Sequence, residues 1–121
     1  MLKNKDFFCK NVARKLSKTL PIDFEILLGM VRMADRYAPQ SKLETVCLAA
    51  AVYAERFNKS PAGCLYDIIG DIFSDGKKKI LCKEDFVFTG TARDTLVKFS
   101  EYILDKYSKN NLFTGGNSSE K

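Results

Sequence analysis

Hydrophobic residues recur at helical spacing in five segments of this chain, and proline or glycine separates most of them. The first segment, residues 5–18, reads KDFFCKNVARKLSK. One of its faces carries Phe8, Val12 and Leu16, with Phe7 and Cys9 alongside. The segment ends at Thr19-Leu20-Pro21, because the residue before a proline avoids the helical conformation. The pattern predicts an amphipathic helix within residues 1–20.

The second segment, residues 23–37, has the same period. Asp23 precedes its first apolar residue and is the predicted N-cap, because an aspartate side chain accepts a hydrogen bond from a free backbone N–H of the first turn. The apolar stripe consists of Phe24, Leu27, Leu28, Val31 and Ala34. Ala38-Pro39 ends the segment.

The third segment includes TVCLAAAVYAERF at residues 45–57 and is apolar on almost every side until its final Glu-Arg pair. A helix that is hydrophobic all round is buried among other helices. The alanines at 49–51 would let neighbouring helices approach closely. The larger side chains that would fill the space between the helices are Leu48, Val52, Tyr53 and Phe57. Ser41 and Glu44 form a predicted capping box, S-K-L-E. The pattern predicts a central helix over residues 42–58.

The fourth helix is predicted to start at Ser60-Pro61, with serine as the cap and proline in the first helical position. Its stripe consists of Leu65, Ile68, Ile69, Ile72 and Phe73. Asp75-Gly76 stops it, and the lysines at 77–79 follow in a predicted loop. The next segment, KILCKEDFVF, fits either a short helix to about residue 86 or a strand-like piece.

The last helix is predicted to run from its N-cap, Thr91, to about residue 109. Its apolar residues are Leu96, Phe99, Ile103 and Tyr107. Residues 114–121, TGGNSSEK, are predicted to be a disordered tail. Because no convincing alternating strand pattern occurs, the predicted fold class is all-α: a single five-helix bundle around a buried central helix, with an extra N-terminal helix.

The net charge of +5 is confined to one end of the chain. Residues 1–20 carry six Lys or Arg and one Asp, so the remainder is neutral. A neutral body argues against a DNA-binding fold with a basic face, but the basic leader could contact phosphates or an acidic partner. We expect no membrane segment and no secretory signal. The four cysteines are widely spaced, which predicts reduced thiols in an intracellular protein, cytoplasmic or nuclear.

Candidate catalytic residues are scarce. The chain has no histidine, which excludes Ser–His and Cys–His nucleophiles. Asp67 and Asp71 share a helix face and could hold a metal, but such a pair is more often a solvated polar face. The stretch around residues 51–73 has a helix-turn-helix rhythm, yet its second helix carries these two Asp and no basic residue, unlike a helix that reads DNA. We predict no enzyme, no cofactor and no metal site.

With the helices in this order, residues 21–113 resemble a cyclin box, especially the short P/U-type cyclins. LPIDFEILLGMVRMADRY resembles the first box helix, and CLAAAVYAERF resembles the second, whose hallmark is a small apolar run ending in Tyr-x-(Asp/Glu)-Arg. LYDIIGDIFSDG resembles the third box helix, and DTLVKFSEYILDKY resembles the fifth. The resemblance implies a regulatory subunit that binds a protein kinase of the cyclin-dependent type, in the cell cycle or a related process, and biases its active conformation.

The resemblance also implies which residues would contact the kinase, and here the chain departs from the family. The Lys of the third box helix falls at Ile72 or Asp71, and the Glu of the fifth falls at Ser100, with Glu101 beside it. The implied partner-binding residues are Asp71, Ile72, Ser74, Asp75, Ser100 and Glu101. Two alternatives stay open: a small helical nucleic-acid-binding regulator that uses residues 1–20, and a helical protein-interaction adaptor.

Overall fold

The computed structural model describes residues 2–73 and 90–108, with side chains from Asp6 onward. The helices are α1 (Leu2–Ser17), α2 (Phe24–Asp35), α3 (Leu43–Phe57), α4 (Pro61–Phe73) and α5 (Ala92–Ser108), and a short 3-10 helix, Gln40–Lys42, precedes α3. The fold class is all-α, as predicted. Among the predictions made above, those for Ser74 and Asp75, the lysines at 77–79, residues 79–88 and the tail lie outside the described residues.

Short polar side chains set the starts of three helices where the sequence predicted them. The carboxylate of Asp23 accepts a hydrogen bond from the backbone N–H of Glu25 at 3.1 Å. Ser60 Oγ accepts one from Gly63 at 3.2 Å, and Thr91 Oγ1 accepts one from Asp94 at 3.0 Å. Each contact satisfies a backbone donor that has no partner within its own helix. Local sequence therefore determines where α2, α4 and α5 begin.

The start of α3 differs from the predicted capping box. The chain after Pro39 forms the 3-10 helix, so Ser41 lies inside a turn rather than at an N-cap. The N-cap of α3 is Lys42, whose side chain makes no capping hydrogen bond. Glu44 instead forms an ion pair with Lys15 of α1, with 3.3 Å between Nζ and Oε1. The end of α3 agrees with prediction, because Asn58 adopts the left-handed conformation (φ 56°) as its C-cap.

Helix α3 is the hub of the bundle. It packs against α1, α2, α4 and α5, which confirms that it is enclosed by other helices. Its buried residues are Leu43, Val46, Cys47, Ala49, Ala50, Ala51, Val52, Tyr53 and Ala54. Side chains as small as alanine let backbones come close, so neighbours can surround one helix without leaving voids. Phe57 differs from expectation: it is 48% exposed at the end of the hub.

Helix α1 belongs to the same core. Its buried residues are Cys9, Ala13 and Leu16, and it packs on α2 and α3. An ion pair between Arg32 and Asp6, at 2.6 Å, joins α1 to α2. Phe7, which the sequence placed beside the apolar stripe, points outward and is 64% exposed. The basic leader is therefore a packed helix with one exposed aromatic side chain.

Candidate functional site

Four of the six predicted kinase-contacting residues are described: Asp71 and Ile72 lie on α4, and Ser100 and Glu101 lie on α5. The two helices pack against each other. Ile72 and Ser100 are only 6% and 2% exposed. The Ser100 hydroxyl donates a hydrogen bond of 2.9 Å to the carbonyl oxygen of Leu96, one turn earlier, which satisfies it inside the core. Neither side chain is accessible to a partner unless the helices rearrange.

Among the described members of that set, Asp71 and Glu101 are accessible. Asp71 is partly buried near the end of α4. Glu101 is exposed on α5 and forms an ion pair with Lys42, with 2.8 Å between Oε2 and Nζ. An exposed pair of this kind contributes at most about 1 kcal/mol. Glu101 can therefore break its ion pair with Lys42 and bind a cation on a partner at little cost in free energy.

Burial makes the described cysteines poor candidates for nucleophilic catalysis. Cys9, Cys47 and Cys64 are buried free thiols. Burial raises the pKa of Cys47 to about 12, and Cys9 adds to the shift. Burial likewise raises the pKa of Cys64 to about 12, although Lys59 opposes the shift. The thiolate is the reactive form of cysteine, so neither side chain is a nucleophile near neutral pH.

The same ranges contain no arrangement of ligands for a metal. Within residues 2–73 and 90–108, no group of three or more His, Cys, Asp or Glu side chains could hold a metal ion. Asp67 and Asp71 thus have no third ligand among the described residues. No described helix is long and apolar enough to cross a membrane.

An apolar groove runs between α2 and α4 on the outer side of the bundle. Its volume is about 560 Å³. It is lined by Gly29, Arg32, Met33, Arg36, Tyr37, Tyr66, Ile69, Gly70 and Phe73. Tyr66 is 67% exposed and Phe73 is 40% exposed. The rings of Tyr37 and Phe73 contact each other, with their centroids 4.8 Å apart.

Two glycines widen this groove. A Cβ atom added at Gly29 or at Gly70 would meet nothing within 4 Å. A glycine inside a helix destabilises it by about 1 kcal/mol relative to alanine. Packing among residues 2–73 and 90–108 therefore does not account for either glycine. The sequence prediction missed this surface, although Tyr66, Gly29 and Gly70 all stand outside the predicted stripes, which was the available signal.

The basic charge of α1 is partly neutralised within the molecule. Lys10 pairs with Asp6 at 3.3 Å, and Lys15 pairs with Glu44 at 3.3 Å. The Arg14 guanidinium donates a hydrogen bond to the side chain of Asn11 at 3.0 Å. The hydrogen bond from Arg32 lowers the pKa of Asp6, which therefore stays ionised at neutral pH and balances one cation of this surface. The net positive charge of this surface is therefore smaller than its number of Lys and Arg residues indicates.

Comparison with known proteins identified no relative. No protein-family model matches the chain, no curated protein matches it, and no solved structure matches it.

Proposed function

We propose that this protein is a cyclin-like regulatory subunit that binds a protein kinase of the cyclin-dependent type and biases it towards its active conformation. The supporting observation is the central position of α3. Its sequence carries the Tyr53-Ala54-Glu55-Arg56 ending that resembles the second helix of a cyclin box. It also packs against every other α-helix in the described part of the chain.

The proposed mechanism needs no catalytic group on this chain. A regulatory subunit shifts its partner's equilibrium by binding one conformation more tightly than another. In a protein kinase, the active conformation requires an ion pair between a strand Lys and a helix Glu, and an Asp that holds Mg²⁺. A rigid helical bundle suits this role, because it can pack against the mobile kinase helix and hold it in place.

The α4–α5 face is the proposed contact surface, and Asp71 and Glu101 are the accessible charged residues of the predicted set in the described part of the chain. Since Ile72 and Ser100 are buried, charge on the surface rather than the family's Lys–Glu pair would determine recognition. A stable contact of ordinary size buries about 1,200–2,000 Å² in total, so apolar side chains around these two carboxylates must also take part.

The test is affinity capture with the tagged full chain from cells of its source organism, with the captured proteins identified by mass spectrometry. We expect a protein kinase to be recovered by the wild-type chain and lost with the double variant Asp71→Arg/Glu101→Arg. The matched control is Glu55→Arg, which reverses an exposed glutamate on α3 and should leave recovery unchanged. Recovery of no kinase in repeated experiments would contradict the proposal.

A second candidate is binding of a nucleic acid through α1, and the exposed ring of Phe7 next to a basic surface favours it. Stacking on aromatic rings together with phosphate contacts is typical of single-strand binding. Deleting residues 1–20 is a poor test, because Cys9, Ala13 and Leu16 belong to the core. The better variant is Arg14→Glu/Lys18→Glu, which should abolish a salt-sensitive mobility shift. No shift at low salt eliminates this candidate.

The third alternative, a helical adaptor, shares the all-α architecture but predicts a partner that is not a kinase. Capture of one non-kinase partner, abolished by the same α4–α5 charge reversals, would favour it over the cyclin-like proposal.

A further inference from the structure

The groove between α2 and α4 is an apolar surface that no described residue covers. We propose that it is a docking site for a short helical segment of another protein, one that carries acidic side chains beside large apolar ones. This inference concerns a different face from the proposed α4–α5 contact and does not depend on it. It rests on the charge of the groove, the nature of its two walls and its open outer side.

The charged side chains that line the groove are basic. Arg32 lies in the last turn of α2 and Arg36 is its C-cap, and no Asp or Glu is among the described lining residues. Arg32 already forms an ion pair with Asp6. Arg36 is exposed and has no ion pair with any other described residue. Because a guanidinium can bind a carboxylate through two parallel hydrogen bonds, the groove is complementary to an acidic occupant.

Large apolar side chains lie beside this cation. Met33 and Ile69 line the groove, and Tyr66 and Phe73 remain 67% and 40% exposed at its border. An occupant that covers these side chains removes apolar surface from water, which favours binding. The complementary occupant therefore carries apolar side chains and a carboxylate on the same face.

The walls favour a helix over an extended segment as the occupant. Both walls are α-helices, whose backbone N–H and C=O groups are bonded within each helix, so the groove offers no sheet edge to which a strand could pair. A Cβ atom added at Gly29 or Gly70 would meet nothing within 4 Å, which lets another helix approach both walls closely. Grooves of this kind bind amphipathic helices through apolar residues at positions i, i+3, i+4 and i+7.

The groove is too open to enclose a small molecule. Along α2 it extends from Gly29 to Tyr37, a rise of about 12 Å, and its outer side faces solvent because Gly29, Gly70 and Tyr66 are exposed. Small-molecule sites bury most of the surface of the ligand, whereas a docked helix contacts its groove with one face only. A contact of about two helical turns should be weak, with a dissociation constant on the order of 10–100 μM.

The experiment selects peptides from a random library on the full chain. Peptides of about 12 residues, which form roughly three helical turns, are displayed on phage and panned against the immobilised wild-type chain. Phage that also bind the Gly70→Leu variant are removed beforehand, because the leucine side chain would occupy the groove. We expect enrichment of sequences with Asp or Glu beside Leu, Ile, Phe or Trp at helical spacing.

Charge reversal then tests the arginine. A synthetic copy of the most enriched peptide is titrated by fluorescence anisotropy. Arg36→Glu should raise its dissociation constant about tenfold, because repulsion replaces attraction, whereas Arg36→Lys should retain most of the affinity. The matched control is Arg93→Glu, which makes the same charge change at an exposed arginine of α5 outside the groove and should have no effect. Circular dichroism checks that each variant is folded.

The proposal is overturned if no peptide is enriched on the wild-type chain relative to Gly70→Leu. Enrichment of basic, uncharged or proline-rich peptides would also overturn it, because these lack the proposed complementarity. So would an acidic peptide whose affinity is unchanged by Arg36→Glu, since it would bind another face. Arg36 is exposed, so its reversal removes no core contact, and loss of binding by a folded variant is due to the change in charge.

Discussion

The seam between α3 and α5 and the seam between α2 and α4 are each made by two packed helices, but only the first is closed. At the α3–α5 seam, Tyr53 and Phe99 bring their ring centroids to 6.2 Å, and Leu96, Phe99 and Ile103 of α5 are at most 2% exposed. At the α2–α4 seam, two glycines border open space and Tyr66 projects into solvent. Small residues of α3 thus allow close packing within the chain, whereas the two glycines of α2 and α4 border an open groove.

Aromatic rings and an arginine pack together at one end of the closed seam. Phe57 contacts Tyr53 at 4.6 Å and Tyr107 at 6.3 Å between ring centroids. The Arg56 guanidinium lies over the Tyr107 ring, 5.4 Å from its centroid. Such contacts contribute about 0.5–1 kcal/mol at exposed sites. They explain why Phe57 keeps a structural role although it is half exposed, whereas Tyr66 has no comparable set of ring contacts with the described residues.

The largest expected effect is the loss of a core side chain from the closed seam. Leu96→Ala should lower the free energy of unfolding by about 2–5 kcal/mol, because Leu96 is fully buried and its removal leaves a cavity. Urea denaturation monitored by circular dichroism measures the change. A loss below about 1 kcal/mol would mean that the seam is not tightly packed.

The reverse change, adding volume to the hub, should have the next largest effect. Ala50→Leu should destabilise the chain by about 1–3 kcal/mol, because Ala50 is fully buried and an extra isobutyl group forces its neighbours apart. The same urea titration detects it. A neutral result would show that α3 is not closely surrounded at this point.

At the open α2–α4 seam, adding a methyl group should stabilise the chain rather than destabilise it. Gly70→Ala should raise the free energy of unfolding by about 0.5–1 kcal/mol, because alanine favours the helix and its Cβ meets no described atom within 4 Å. The matched control is Ala54→Gly in α3, which should lower stability by a similar or larger amount. Destabilisation by Gly70→Ala would indicate that the groove is filled.

The smallest effect is expected for the exposed ring. Tyr66→Ala should change the free energy of unfolding by no more than about 0.5 kcal/mol, since the side chain is mostly in solvent. A loss as large as that of Leu96→Ala would place Tyr66 in the core and remove the contrast between the seams.

Local and periodic features of the sequence were enough to predict much of this fold. The caps at Asp23, Ser60 and Thr91 depend on neighbouring backbone groups alone, and the position of α3 follows from its all-round apolar surface. The predicted core stripes of α2 and α4 are largely buried as well. The 3-10 helix at residues 40–42 was not predictable, because nothing in S-K-L-E distinguishes a capping box from a turn that has already begun.

The candidate surfaces were harder to predict, because accessibility depends on which helices are neighbours. Ser100 is polar, yet its hydroxyl is satisfied by the Leu96 carbonyl inside the core, so polarity did not indicate exposure. Tyr66 and the groove glycines gain meaning only when α2 and α4 lie side by side. A single sequence gives the faces of each helix but not which faces remain uncovered after packing.

Hydrogen–deuterium exchange read by mass spectrometry tests the central claim most directly, namely that the buried stretch of α3 is enclosed by the other helices. The account predicts that the amides of Val46–Ala54 exchange most slowly in the chain and only through global unfolding, at a rate set by the measured free energy of unfolding. Exchange of these amides as fast as that of the first turn of α1 would contradict it, because a hub helix cannot open before the helices that surround it.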